Sequence, residues 1–189
     1  MSGVWHFKPD MTESWAFWDE AFSASECEKI IELGETQTLQ KGKAGGEVRD
    51  IRKSEIAFLH PSDETKWIFE KVSGIILSLN ERFFRFDLLG LSEGLQFTKY
   101  SAPGQKYGRH IDNGMGLPVR KLSFTLQLSK PDDYQGGDLC LYLSEKAVPM
   151  QRKQGYVAVF PSWTLHEVKP VTKGTRYSLV AWVTGAPFR

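Results

Sequence analysis

Residues Val159–Trp182 read VFPSWTLHEVKPVTKGTRYSLVAW. The stretch opens on the end of one apolar strand-like run, Tyr156–Phe160 (YVAVF), and closes on another, Arg176–Val183 (RYSLVAWV), with proline, lysine and glycine between them. His166 sits in the short segment after the first run. The cluster Val171–Gly174 (VTKG) reads as a turn, so a hairpin is expected to carry His166 and Arg176 on neighbouring strands. Arg176, Ser178, Val180 and Trp182 alternate and therefore share one strand face. A guanidinium on the inner face of a barrel needs an anionic partner, because an unpaired buried charge is costly. A dicarboxylate would supply it through charge-assisted, bidentate hydrogen bonds.

Outward from this stretch the same pattern recurs. From Leu95 on come LQFTKY (95–100), KLSFTLQLS (121–129) and DLCLYL (138–143), separated by the turn clusters SAPGQ (101–105) and KPDDYQGG (130–137). Short strands at this spacing predict a β-barrel or jelly roll. Gly136-Gly137 reads as a turn or bulge rather than a phosphate cradle. The first half differs. Ser23–Leu33 (SASECEKIIEL) predicts a helix capped by Ser25, and Ser62–Phe84 predicts a second, with Trp67, Val72, Ile75, Ile76 and Leu79 near helical spacing. Ile51–Leu59 (IRKSEIAFL) alternates as a strand, preceded by a glycine-rich loop, Lys41–Asp50. The expected class is α+β, mainly β, with N-terminal helices supporting the barrel. The 189 residues are expected to form a single domain: 1–90 as helical support and lid-strand region, 91–185 as the β core.

Composition narrows the function. A formal charge of +1 gives no reason to expect a nucleic-acid partner. Cys27 and Cys140 form no CxxC pair, so neither a disulfide framework nor a zinc ribbon is expected. The start, MSGVWHFKPD, lacks a signal-peptide profile, and no apolar run approaches the ~20 residues of a membrane span. A cytoplasmic protein with no membrane partner is expected; the pattern leaves oligomeric state open.

The chemistry lies in Lys106–Gly114 (KYGRHIDNG). On an extended segment His110 and Asp112 point to one side. Alone, such a pair could be a surface histidine beside an Asx-turn at Asp112. With His166 as a third ligand it makes a two-histidine, one-carboxylate set with open positions, suited to non-haem Fe(II). No fourth ligand is evident to close a structural zinc site. His6 and His60 have no sequence partners and read as structural or surface residues.

The order HID, 53 residues, His, 9 residues, RYS resembles the HxD…H…RxS pattern of the 2-oxoglutarate- and Fe(II)-dependent dioxygenases. YGRHIDN, KLSFTLQLS, DDYQGGDLCLY and VFPSWTLHEVKPVTKGTRYSLVAW are similar to the prolyl 4-hydroxylase-like branch, including its bacterial and viral PKHD-type members. The likeness covers Leu95–Val183, and more loosely FSASECEKIIELG and VRDIRKSEIAFL. It implies a double-stranded β-helix (jelly roll) and Fe(II) ligation by His110, Asp112 and His166. It also implies 2-oxoglutarate anchored by Arg176 and Ser178, with Tyr100 in contact with it. Ser123, Thr125 and Gln127 share an interior face that offers groups to the co-substrate, although one prolyl-hydroxylase subgroup carries tyrosine at the position of Gln127. Trp182 corresponds to a pocket-wall aromatic near substrate; Tyr107 is also expected in the substrate pocket, the alternative being that it only packs against the iron strand. The implied reaction consumes 2-oxoglutarate and O2, releases succinate and CO2, and hydroxylates a peptide or protein substrate, proline by resemblance, with L-ascorbate able to sustain turnover. In relatives the segment matching Lys41–Asp50 closes over peptide, and ordering of this loop on substrate binding is expected. The competing readings are the same iron chemistry on a free amino acid or other small molecule, and a non-catalytic β-barrel binding module. A degenerate binder would be expected to lose a ligand or the arginine, and neither is lost.

Overall fold

The computed structural model describes residues 12–44, 47, 50–112 and 119–187. Fourteen strands and two α-helices follow one another among them: β1 (Ala16–Trp18), α1 (Ala24–Glu35), β2 (Gln40–Lys41), β3 (Arg52–Lys53), β4 (Glu55–Leu59), α2 (Lys66–Leu79), β5 (Leu88–Leu91), β6 (Leu95–Ser101), β7 (Lys106–His110), β8 (Arg120–Gln127), β9 (Tyr134–Gly136), β10 (Leu139–Tyr142), β11 (Ala147–Pro149), β12 (Val157–Pro161), β13 (Leu165–Val168) and β14 (Val171–Gly185). They build two facing sheets. The major sheet runs β1-β12-β8-β14-β6-β4-β2, with β5 and β9 also paired to β14; the minor sheet runs β11-β10-β13-β7-β3. This is the expected double-stranded β-helix with helices behind its larger sheet.

Helix α1 begins at Ser23, not Ser25. Ser23 accepts from the Glu26 N–H while the Glu26 carboxylate accepts from the Ser23 N–H, a reciprocal capping box. Ser25 falls inside the first turn. Helix α2 starts four residues later than its sequence pattern indicates, because Ser62 and Thr65 bond each other's backbone and side chain in a separate turn. At its far end it passes into a π-helical turn, Asn80–Phe84, closed by Arg85 in the left-handed region. The buried faces of both helices, Cys27 and Ile30 on α1 and Ile68, Val72, Ile75, Ile76 and Leu79 on α2, join Leu95, Phe97, Leu122, Phe124, Leu126 and Leu179 of the major sheet in one core. Each large side chain buried there contributes about 1.5–3 kcal/mol, so the helices stiffen the outer face of the sheet whose inner face carries the site. Trp163 is 40% exposed and packs its ring on Phe86.

The hairpin expected between His166 and Arg176 does not form. Val171–Gly174 is the first part of β14 and pairs with β9. His166 lies on β13 in the minor sheet and Arg176 on β14 in the major sheet. Between them Lys169 and Pro170 carry the chain from one sheet to the other. Proline has no N–H to give a ladder, so the crossing falls where pairing would fail anyway. The two side chains therefore approach from opposite walls of the interior, not along one sheet. The Lys41–Asp50 loop, expected to order on substrate, lies partly outside the described residues (45–46 and 48–49), as do Asn113, Gly114, Arg49 and His6. Among the described residues no helix is long and apolar enough to cross a membrane.

Candidate metal centre and co-substrate cavity

The register of the minor sheet places His166 of β13 directly opposite His110, the last residue of β7. Asp112 follows two residues past the strand end, held by its N–H donating to the Ser162 carbonyl at 2.8 Å. Ligand atoms of the three residues all lie within 4.8 Å of one another. The Nε2 atoms stand 3.6 Å (His110) and 3.5 Å (His166) from the Asp112 carboxylate oxygens.

Both imidazoles are oriented in the same way. His110 Nδ1 lies 2.8 Å from the Gly108 carbonyl and His166 Nδ1 2.9 Å from the Thr164 carbonyl, each two residues back along the chain. A carbonyl can only accept, so each Nδ1 carries the proton and each Nε2 presents a lone pair. Burial, and next the neighbouring His166, push the His110 imidazole down to about 4, which keeps it neutral. Burial alone would raise the Asp112 carboxyl. The opposing influence of His166 and His110, the Ser123 hydroxyl at 2.6 Å and the nearby Trp182 indole hold it below the usual carboxylate range. That indole N–H, though near enough to act on Asp112, completes no hydrogen bond of ordinary geometry among the described residues. The result is a cage in which acceptors face acceptors. Two imidazole lone pairs and a carboxylate repel one another unless a cation lies between them, and their second-shell bonds are those of a metal site. The donor set fits Fe(II).

One cavity contains these ligands and nearly all the other predicted residues: Tyr100, Tyr107, Ser123, Thr125, Arg176, Ser178 and Trp182 line it. Tyr107 stacks on His110, with ring centroids 3.4 Å apart, and the Arg52 guanidinium lies 4.5 Å from the Tyr107 ring. Arg176 is 3% exposed. Its Nη1 leans on the Ser178 hydroxyl at 3.4 Å and its charge lies over the Tyr100 ring at 5.6 Å, but among the described residues it meets no carboxylate. A buried guanidinium with no anion, a few side chains from an acceptor-only metal cage, is the counterpart of a dicarboxylate ligand. Ser123 faces Asp112 and Ser162 instead of any ligand anchored at Arg176. Gln127 is not in this cavity; it stands behind Arg176 and accepts from its Nε at 3.1 Å.

Sequence reasoning missed two groups. Arg120 forks onto Glu93, donates to the Asp112 carbonyl at 3.1 Å and lies 4.1 Å from the Trp182 ring. Arg52 reaches the cavity from the edge strand β3 and is buried there by Ser54 and the Lys43 carbonyl. The alternation of Ile51–Leu59 could have placed Arg52 inward. Nothing local marks Arg120, which acts through contacts with residues distant in sequence.

Geometry of this kind suits a 2OG-Fe(II) oxygenase, and the comparisons point the same way. The model of the 2OG-Fe(II) oxygenase superfamily matches residues 95–184, the β core of this chain. The curated relatives that the chain matches are PKHD-type hydroxylases. It is 42% identical over 91 residues to a PKHD-type hydroxylase of Prochlorococcus marinus, covering 48% of this chain and 41% of that protein. It is 38% identical over 121 residues to one of Synechococcus sp., covering 60% and 54%. The chain thus spans about half the length of the curated relatives it matches. Among solved structures it resembles a prolyl hydroxylase from Trichoplax adhaerens in complex with a hypoxia inducible factor peptide fragment (TM-score 0.78, 23% identity, 92% of this chain and 84% of that one). A Pseudomonas putida prolyl-4-hydroxylase is similar (TM-score 0.72, 22% identity, 93% and 95%). At these identities the structural likeness establishes the fold.

Proposed function

We propose that this protein is an Fe(II)- and 2-oxoglutarate-dependent hydroxylase acting on a peptidyl residue, proline by likeness to its structural neighbours. The observation that carries the reading is the pairing, in one cavity, of the acceptor-only His110–Asp112–His166 cage with the anion-free guanidinium of Arg176. Fe(II) held by the first and 2-oxoglutarate by the second would together supply oxidative decarboxylation to succinate and CO2, coupled to hydroxylation of a C–H bond. The chain's own part is positional. The Gly108 and Thr164 carbonyls fix the tautomers that turn both Nε2 atoms to the metal. The Ser123 hydroxyl keeps Asp112 ionised and aimed. Arg176 and Ser178 grip the distal end of the diacid, and Trp182, Tyr107 and Phe160 wall the cavity against water.

The test is succinate production from 2-oxoglutarate under air with Fe(II) and L-ascorbate, alone and with a panel of proline-containing peptides, followed by mass spectrometry for products heavier by one oxygen atom. Peptide-stimulated succinate and an oxidised product are expected, both lost in His110→Ala and in Arg176→Ala. Turnover stimulated only by free amino acids would place the chain with small-molecule hydroxylases instead. No succinate under any condition would make it a binding module.

A further inference from the structure

Behind Arg176 a second, smaller cavity adjoins the metal cavity, lined among others by Thr125, Gln127, Tyr134, Gly137, Arg152 and Arg176. Its hydrogen bonds can be assigned by elimination. Arg176 Nε can only donate, so the Gln127 side-chain atom 3.1 Å from it is the amide oxygen. The other end of that amide is then the NH2 group, which donates to the Tyr134 hydroxyl at 3.0 Å and to the Ser129 carbonyl at 3.3 Å. Tyr134 Oη is therefore spent as an acceptor, and its own proton has no acceptor among the described residues. The residue is 3% exposed, so water does not readily serve. A buried O–H with nothing to donate to is destabilising.

Gly137 shows how near this ring comes to the stem of the Arg176 side chain. Its φ is +67°, and a Cβ there would meet Arg176 Cδ at 3.1 Å and Tyr134 Cε2 at 3.3 Å. The glycine is the gap that lets the two side chains converge, which gives the Gly136-Gly137 pair a purpose beyond a turn. Arg152 fixes the ring from the far side, its guanidinium 4.2 Å from the ring centroid and its Nη2 donating to the Tyr134 carbonyl at 2.6 Å. Among the described residues, a buried cation without an anion and a buried donor without an acceptor thus meet the two ends of one side-chain amide, that of Gln127.

We infer that Tyr134 is a co-substrate-binding residue: its O–H donates to the same distal carboxylate that Arg176 pairs with, while Gln127 orients both and touches neither the metal nor the carboxylate. The inference rests on the reading of 2-oxoglutarate as co-substrate. Its anchor comes from β9, a strand that pairs only with the start of β14, not from the interior strand β8 on which Gln127 sits.

The experiment is calorimetric titration of 2-oxoglutarate into the full chain loaded with Mn(II), with thermal melting as the control for packing. Tyr134→Phe keeps the ring, the Gly137 contact and the Arg152 stack and removes only the hydroxyl. The expected result is a Kd for 2-oxoglutarate raised about tenfold, the range of one hydrogen bond to a charged group, with the melting temperature unchanged. In the succinate assay the KM for 2-oxoglutarate should rise by the same factor at nearly constant kcat. A Kd within twofold of the unsubstituted protein, while Arg176→Ala abolishes binding, overturns the role of Tyr134 and leaves the co-substrate reading standing. An unsubstituted protein that binds no 2-oxoglutarate overturns both. Should the Phe variant fold poorly, 3-fluorotyrosine at 134 gives a more acidic donor of nearly the same shape; it should tighten binding, and unchanged or weaker binding refutes the proposal.

Discussion

Removing the charge of Glu93 tests whether the metal centre is held by a clasp outside it. Arg120 donates to Glu93 through Nη2 at 2.6 and 2.7 Å and through Nε at 2.8 Å, and its Nη1 donates to the main-chain oxygen of Asp112. The side chains are 10% and 28% exposed. Glu93→Gln keeps the shape, but it turns an amide NH2 toward a guanidinium and leaves a nearly buried cation stacked on Trp182 without its anion. Exposed pairs are worth about 0–1 kcal/mol and breaking a buried one costs about 3–5. The intermediate burial here places the expected loss at about 2 kcal/mol. For a chain of this size that lowers the urea midpoint of the metal-free protein by about 1 M, taking m as about 2 kcal/mol/M. Because Arg120 also steadies the backbone of a ligand, Mn(II) affinity should fall about tenfold, the low end for an outer-shell contact. Equilibrium urea unfolding and Mn(II) titration measure the two effects. Midpoints within 0.2 M together with affinities within twofold would show that Arg120 and Glu93 are a surface pair with no hold on Asp112.

Two other outcomes follow from the same structure. His110 is pushed from 6.5 to about 4 by burial and by His166, so the unfolded chain takes up a proton that the folded chain refuses in this window. The resulting stability is fully present above pH ~6.5 and lost as pH falls toward 4; the urea midpoint of the metal-free protein should drop between pH 7 and 4.5, and drop less in His110→Gln, an equal drop in both counting against the assignment. Gly34, in the last turn of α1, faces Phe97 so closely that a Cβ would lie 2.4 Å from ring carbons. Gly34→Ala sets an overpacking cost of about 1–3 kcal/mol against a helix-propensity gain of up to ~1, so Tm by calorimetry should fall by a few degrees, and a rise would mean that the ring has room to move.

The sequence by itself picked out the three side chains that converge and the mainly β class. Period-two alternation in Arg176–Trp182 and in KLSFTLQLS marked the inward faces correctly, since pleating alone decides which side a strand residue takes. The pair His110 and Asp112 was legible from its spacing, although Asp112 lies past the end of β7 and is set by its bond to Ser162, and the helices were legible from their apolar spacing. Tertiary structure alone decided how these pieces meet. The local signal of VTKG suggested a turn, and the structure continues β14 through it, because β9 from the KPDDYQGG segment pairs with those residues and His166 is claimed by β7 and β10 in the other sheet. The work of Arg120, Glu93, Arg52 and Tyr134 was illegible in the same sense. Each acts on a residue far from it along the chain, and a charge or hydroxyl has no local pattern that names its partner. Periodicity reports which way a side chain points; only the packed chain settles what it points at.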